Sequence, residues 1–112
     1  MKVLALIYGD EAKWETVSEQ DREAIYAKYR AFGEQAGGKI ADGARLASTR
    51  SATTVRVRDG KTVVTDGPFA ETKEQLGGFY LFDVDSLDEA TELAKSIPGQ
   101  TVEVRAARED ES

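Results

Sequence analysis

Two short runs, Lys2-Val3-Leu4-Ala5-Leu6-Ile7-Tyr8 and Phe79-Tyr80-Leu81-Phe82-Asp83-Val84, are apolar at successive positions rather than at alternate ones. Side chains of a strand point alternately to its two faces, so each run reads as a central strand that is greasy on both. Two covering layers are therefore needed. The remainder of the chain offers material for one, in the form of two amphipathic helical stripes.

The first stripe is Ile25, Tyr29, Phe32 and Ala36. Ser18 can cap its start through its hydroxyl, Glu19 and Asp21 suit the positive end of the helix dipole, and Gly37-Gly38 supplies the stop. The second is Ala90, Leu93, Ala94 and Ile97, opened by a Ser86/Glu89 capping box and closed by Pro98-Gly99. Between the first strand and the first helix, Gly9 and Asp10 end the strand and a polar loop carries Trp14. Beyond Lys39 the pattern weakens, and Ala44 to Ala47 reads as the next strand of the sheet. Thr54 to Arg58 and Lys61 to Thr65 flank Asp59-Gly60, the dipeptide preferred by a tight two-residue hairpin turn. Thr101 to Arg105 alternates polar and apolar and forms a last strand, and the charged tail from Arg108 to Ser112 is expected to fray.

This order is a βαββαβ plan with an extra β-hairpin inserted at its middle, an α+β domain of ferredoxin-like build over residues 1–107 with a tail over 108–112. A length of 112 residues suits one core, and neither an internal repeat nor a linker marks a second domain. Two helices cover one face of a four-stranded sheet. Leaving several large side chains bare on the other costs about 1.5 to 3 kcal/mol each, comparable in sum to a domain's whole stability. An identical sheet from a second chain covers that face most economically, which predicts a homodimer. The competing arrangement folds the inserted hairpin back over its own sheet.

Composition narrows the chemistry. The chain has no cysteine, which excludes disulfides, thiol nucleophiles and thiolate zinc sites. It also has no histidine, which removes the commonest general base, transition-metal ligand and near-neutral pH switch together. Carboxylates, Lys, Arg, Tyr, hydroxyls and backbone amides remain. A net charge of -6 repels polyphosphate, so nucleic acid is not an expected partner. No run approaches the roughly 18 to 20 apolar residues that span a bilayer, and Met1 to Tyr8 leads into a charged segment without a cleavage pattern, so the expectation is a cytoplasmic protein without membrane contact. Neither a phosphate-cradling glycine motif nor a dinucleotide fingerprint is present, and no cofactor is expected.

The segment Asp66-Gly67-Pro68-Phe69-Ala70-Glu71-Thr72-Lys73-Glu74-Gln75-Leu76-Gly77-Gly78-Phe79-Tyr80 resembles the signature of the YCII-related proteins, specifically their DGPF branch. Leu6-Ile7-Tyr8-Gly9-Asp10-Glu11, Thr53-Thr54-Val55-Arg56-Val57-Arg58-Asp59-Gly60-Lys61 and Glu103-Val104-Arg105 agree with it as well, so the resemblance spans nearly the whole chain. It implies a dimeric α-β barrel of ferredoxin-like subunits, usually bacterial, with a site in a cleft near the signature loop. Some relatives are encoded beside or fused to extracytoplasmic-function sigma factors, which implies a regulatory setting. Members of the wider family carry a His and Asp pair thought to be catalytic; this chain keeps Asp66 and lacks the His, a departure that bears on that chemistry. It also follows Arg105 with Ala106 where relatives more often place a proline.

Asp66 has two readings. Its carboxylate can cap the turn at Gly67-Pro68, or it can serve in the cleft as a general base or ligand anchor. Glu71, Lys73 and Glu74 fall within one turn if Pro68 to Leu76 winds helically; Lys73 then pairs with one carboxylate and frees the other for a ligand, or all three form a solvated face. Glu103 and Arg105 share one side of the last strand, and Arg105 can grip an anion in bidentate fashion or pair with Glu103 or Asp66. Asp83, Asp85 and Asp88 invite a calcium reading, but the spacing lacks the glycine and closing glutamate of a calcium loop, and a strand end followed by a helix cap explains them. Arg56 and Arg58 share a hairpin face that can steer an anion or simply lie in water. Tyr8, Tyr26, Tyr29, Phe79 and Tyr80 are assigned to core and interface.

Two functions fit these residues. In the first, a dimer binds a small anionic or enolic ligand near Asp66, with Glu71, Lys73 and Arg105 as binding residues and proton transfer or elimination as the chemistry. In the second, a non-catalytic module binds a ligand or partner and acts through a sigma factor.

Overall fold

The structure is a computed structural model and describes residues 1–99 and 101–109. Strand β1 (Lys2–Gly9) leads into a short helix α1 (Glu11–Glu15) and the long helix α2 (Glu19–Ala36). Then come β2 (Ile40–Arg45), β3 (Thr53–Arg58), β4 (Lys61–Asp66), β5 (Gln75–Asp83), α3 (Leu87–Ala94) and β6 (Thr101–Ala106). The main sheet has the order β2-β5-β1-β6 with every pairing antiparallel, an arrangement compatible with a ferredoxin-like fold. β3 and β4 form a separate two-stranded ribbon.

Local chemistry sets the element ends. Ser18 Oγ accepts the Asp21 amide at 3.1 Å and so caps α2; Gly37 closes that helix at φ +52°, where a β-carbon is disfavoured. Ser86 Oγ accepts the Glu89 amide at 3.1 Å, while Glu89 reaches past it to accept the Asp85 amide at the same distance. Between β3 and β4, Asp59 and Gly60 both take positive φ, the geometry of a primed hairpin turn.

The core lies between the sheet and the helices. Val3, Ala5 and Phe82 of the sheet are fully buried against Phe32 and Ala36 of α2 and Ala90, Ala94 and Ile97 at α3. Phe32 sits 5.2 Å from Tyr80 and 6.2 Å from Phe82, ring centre to ring centre. Strand pairing then assigns the other face. Leu4 lies opposite Leu81 and Leu6 opposite Phe79, each one step out of phase with the core residues Val3, Ala5 and Phe82. Leu4, Leu6, Tyr8, Phe79 and Leu81 are all half-buried and stand outside the core.

Several sequence expectations are adjusted. The loop carrying Trp14 contains a one-turn helix, capped by the Asp10 carboxylate, which accepts the Ala12 amide at 3.0 Å and the Lys13 amide at 3.4 Å. The strand expected at Ala44 to Ala47 runs instead from Ile40 to Arg45, because Ile40 pairs with Phe82 and a register shift follows it. Pro68 to Leu76 does not wind into a helix, and β5 begins at Gln75, well before Phe79. Gly77-Gly78 is thus inside a strand: a β-carbon at Gly78 would sit 2.9 Å from the Ala44 carbonyl oxygen, so the glycine permits close strand approach. The ribbon does not cover the open face; from Thr53 to Asp66 Thr54 is half-buried and the rest are exposed. At the C-terminus Glu109 reaches back to accept the Lys2 amide at 2.9 Å, so the tail is held at least that far, and the remainder of the expected fraying segment lies outside the described residues. No helix among the described residues is long and apolar enough to cross a membrane.

Candidate functional site

Asp66 ends β4 opposite Thr53, at the root of the ribbon. The turn that follows is held without it. The Gly67 amide donates to the Ala52 carbonyl at 2.7 Å, the Thr54 hydroxyl donates to the Gly67 carbonyl at 2.7 Å, and Gly67 takes φ +95°. The Arg56 guanidinium donates to the Phe69 carbonyl at 3.2 Å and ties the next residues to the ribbon. The Asp66 carboxylate is exposed and receives no hydrogen bond or ion pair from the described residues, so it does not cap this turn. Glu71 and Lys73 follow in the irregular, exposed loop before β5 and are likewise unengaged among the described residues.

The loop re-enters the sheet through polar contacts that no local spacing announces. Gln75 Oε1 accepts the Glu11 amide at 3.0 Å, and Glu74 Oε1 accepts the Thr101 hydroxyl at 3.2 Å rather than pairing with Lys73. Glu11 in turn accepts the Thr49 amide at 3.2 Å and the Thr49 hydroxyl. Those contacts, the hydroxyl first, hold the Glu11 carboxyl below its ordinary value against the opposing effect of burial; Arg50 adds to the lowering and itself pairs with Glu15. Glu11, Thr49, Arg50 and Gln75 thus fasten the signature loop, α1 and the β2–β3 connection together. They come from three separate segments and leave no local pattern; the one available signal was Glu11 at the end of the Leu6 to Glu11 run, two residues past the first strand.

Arg105 lies elsewhere. It projects from β6 opposite Leu4 and donates to Glu103 at 2.9 Å, and that carboxylate raises the guanidinium pKa further. Gln75, where the signature loop joins the sheet, pairs with Gly9, five residues further along β1, about 16 Å at the usual rise per residue. Within one chain no hydrogen bond or ion pair joins Asp66, Glu71, Lys73 and Arg105 to one another. Val102 and Val104 point to the helix side of the same strand, as the alternation requires.

The tyrosines divide. Burial pushes the Tyr29 and Tyr80 hydroxyls up, as for core residues. Tyr26 instead stands against Trp14 at 5.8 Å and accepts a hydrogen bond from Arg45 at 3.0 Å, on the helix side. Two concavities, of about 480 and 470 Å³, also lie on that side: one between α2 and the segment after α3, the other along the first turns of α2. Neither is lined by Asp66, Glu71, Lys73 or Arg105. Among the described residues no group of three acidic side chains is placed to hold a metal ion; Asp83 pairs with Lys2 at 2.9 Å. A free carboxylate at the ribbon root can move a proton and a free ammonium can balance an anion, if the two are brought to one enclosed place.

Residues 1–109 match the YCII-related domain. An uncharacterized protein of Rhizobium meliloti (strain 1021) is 42% identical over 99 residues, covering 87% of this chain and 80% of that protein.

Proposed function

The chain belongs to the YCII-related family, and from that premise we propose that it works as a homodimer of the DGPF type, binding a small anionic or enolic molecule beside Asp66. The observation that supports this reading is the second sheet face, where the apolar side chains Leu4, Leu6, Tyr8, Phe79 and Leu81 stay half-exposed and, among the described residues, lie outside the core packed under the helices. The chain is a slab of 46 × 45 × 18 Å with a radius of gyration of 16.2 Å. A compact domain of this length has about 13 Å. A slab of one sheet and one helix layer is half of a globule, and a second slab laid on the open face makes a dimeric α-β barrel, with β3–β4 as the hairpin inserted into each βαββαβ subunit.

In that dimer Asp66 takes a proton from a carbon acid or an enol, and Lys73 and Arg105 offset the negative charge that develops, with Glu71 orienting the ligand. The freedom of the Asp66 carboxylate supports this role, since the turn beside it is held by Ala52, Thr54 and Gly67. A second reading, a non-catalytic accessory to an extracytoplasmic-function sigma factor, draws on the absence of histidine.

Asp66→Asn tests the site. The side chain is exposed and unbonded, so stability should change by no more than about 0.5 kcal/mol. Against a panel of small keto and hydroxy acids followed by NMR shift changes, the variant should lose both binding and any proton exchange at the acidic carbon that the native chain shows. Equal behaviour of the two proteins would remove Asp66 from the site. Binding that persists without exchange in either protein would favour the accessory reading.

A further inference from the structure

The ribbon poses a problem that the bare sheet does not solve. Strand pairing places Val55, Val57 and Val64 on one of its faces with Thr62, and Arg56, Arg58, Lys61 and Val63 on the other. The three valines of the first face are 61%, 70% and 63% exposed. A two-stranded ribbon by itself is marginal in water and needs a further strand or a packed surface to persist. Chains that leave such strands open commonly protect them with charged side chains, proline or a bulge; here Arg56, Arg58 and Lys61 charge the opposite face and leave the valines unguarded. Here the register from Thr53 to Asp66 is unbroken and contains no proline. Valine recurs because this face is made for burial on a pleated surface.

We propose that the β3–β4 ribbon is an intersubunit arm whose valine face packs against a second copy of the chain. The inference rests on the homodimer reading and adds to it the surface that makes the dimer stable. Area argues for a second copy as occupant. The chain exposes 8088 Å², whereas a compact monomer of its 12.2 kDa mass exposes about 6,100 Å². That excess of about 2,000 Å² is more than the roughly 800 Å² that each partner gives to a standard interface, so a second copy can take up the valine face as well as the open sheet face. Two-fold symmetry lets every copy give one arm and receive one. The consequence for the site is direct. Gly67 and Thr54 bind the ribbon root to the signature turn, so docking of the arm fixes Asp66 relative to the twin subunit.

The test introduces charge where the isolated chain has only solvent. Val55 and Val64 face each other across the ribbon, and the double substitution Val55→Glu with Val64→Glu should leave the circular dichroism of the chain unchanged while raising the dimer dissociation constant at least 100-fold in sedimentation velocity. The chain has no cysteine, so Val57→Cys gives a single reporter. Its maleimide reactivity should fall as protein concentration rises through the dimer dissociation constant. A wild-type dimer whose affinity ignores the double substitution, with the introduced thiol equally reactive at all concentrations, would overturn the arm and leave the sheet-to-sheet dimer standing. Protection independent of concentration would mean that the ribbon folds on its own chain, and also overturns it. A wild-type chain that stays monomeric throughout would overturn both.

Discussion

Glu11→Gln removes a charge from the junction that holds the signature loop, and its effect can be worked from the contacts. The carboxylate accepts two hydrogen bonds from Thr49, and its own backbone amide donates to Gln75. A hydrogen bond to a charged group contributes about 1.5 to 3 kcal/mol when sheltered, but Glu11 is half-exposed and glutamine keeps one acceptor oxygen. Discounting for solvent leaves about 1 kcal/mol. The Glu11 carboxyl is held below its ordinary value of about 4.5, so this stabilisation is fully present above that value and is lost as pH falls through the lower folded value. Urea unfolding between pH 3 and 7 is the assay. The difference between native and Glu11→Gln chains should be about 1 kcal/mol at pH 7, equivalent to about 4 °C in melting temperature, and should shrink toward zero on acidification. A difference that stays constant across this range, or is absent at neutral pH, would refute the assignment of the loss to that ionised carboxylate.

Phe82 is fully buried between Phe32 and Tyr80, so Phe82→Ala should cost about 3 to 5 kcal/mol in chemical denaturation, and a cost under about 1.5 would contradict the core as described. Two strand glycines should separate sharply: a β-carbon at Gly43 meets the Phe79 carbonyl oxygen at 2.9 Å, whereas at Gly77 its nearest neighbour is the Ile7 carbonyl oxygen at 3.9 Å. Gly43→Ala should therefore lose about 1 to 3 kcal/mol and Gly77→Ala much less, as thermal melts can show. Equal losses would mean that β2 and β5 do not approach as closely as these positions require.

The parts of this fold that are legible in the sequence are those that bury one face against another. Phe32 and Ala36, and Ala90 and Ala94, sit in the core because helical spacing aligns them, Ile97 joins them just past the end of α3, and Val3 and Phe82 are there because a central strand must bury them. The bounds of β2 are not legible, because it is an edge strand whose residues after Ile40 are all exposed, leaving no alternation to read. Gly77-Gly78 resembles a loop, since the close approach that uses Gly78 is a property of β2 and not of the local sequence. The short helix at Trp14 has one turn, too few residues for periodicity. At the site, Asp66, Glu71 and Lys73 are visible because they fall in one contiguous segment, and Glu103 with Arg105 as a same-side pair. The Glu11, Thr49 and Gln75 junction is not, because long-range hydrogen bonds between loops leave no pattern along the chain. Arg105 and Asp66 lie apart in a single copy, one on the edge strand β6 and the other at the ribbon root, so no local spacing relates them.

Sedimentation equilibrium of the native chain across nanomolar to micromolar concentration addresses the unclosed sheet most directly. The expected species has twice the 12.2 kDa chain mass and dissociates only on dilution. A 12.2 kDa species that persists to high concentration and still unfolds cooperatively would show that one sheet and one helical layer suffice, and would contradict it.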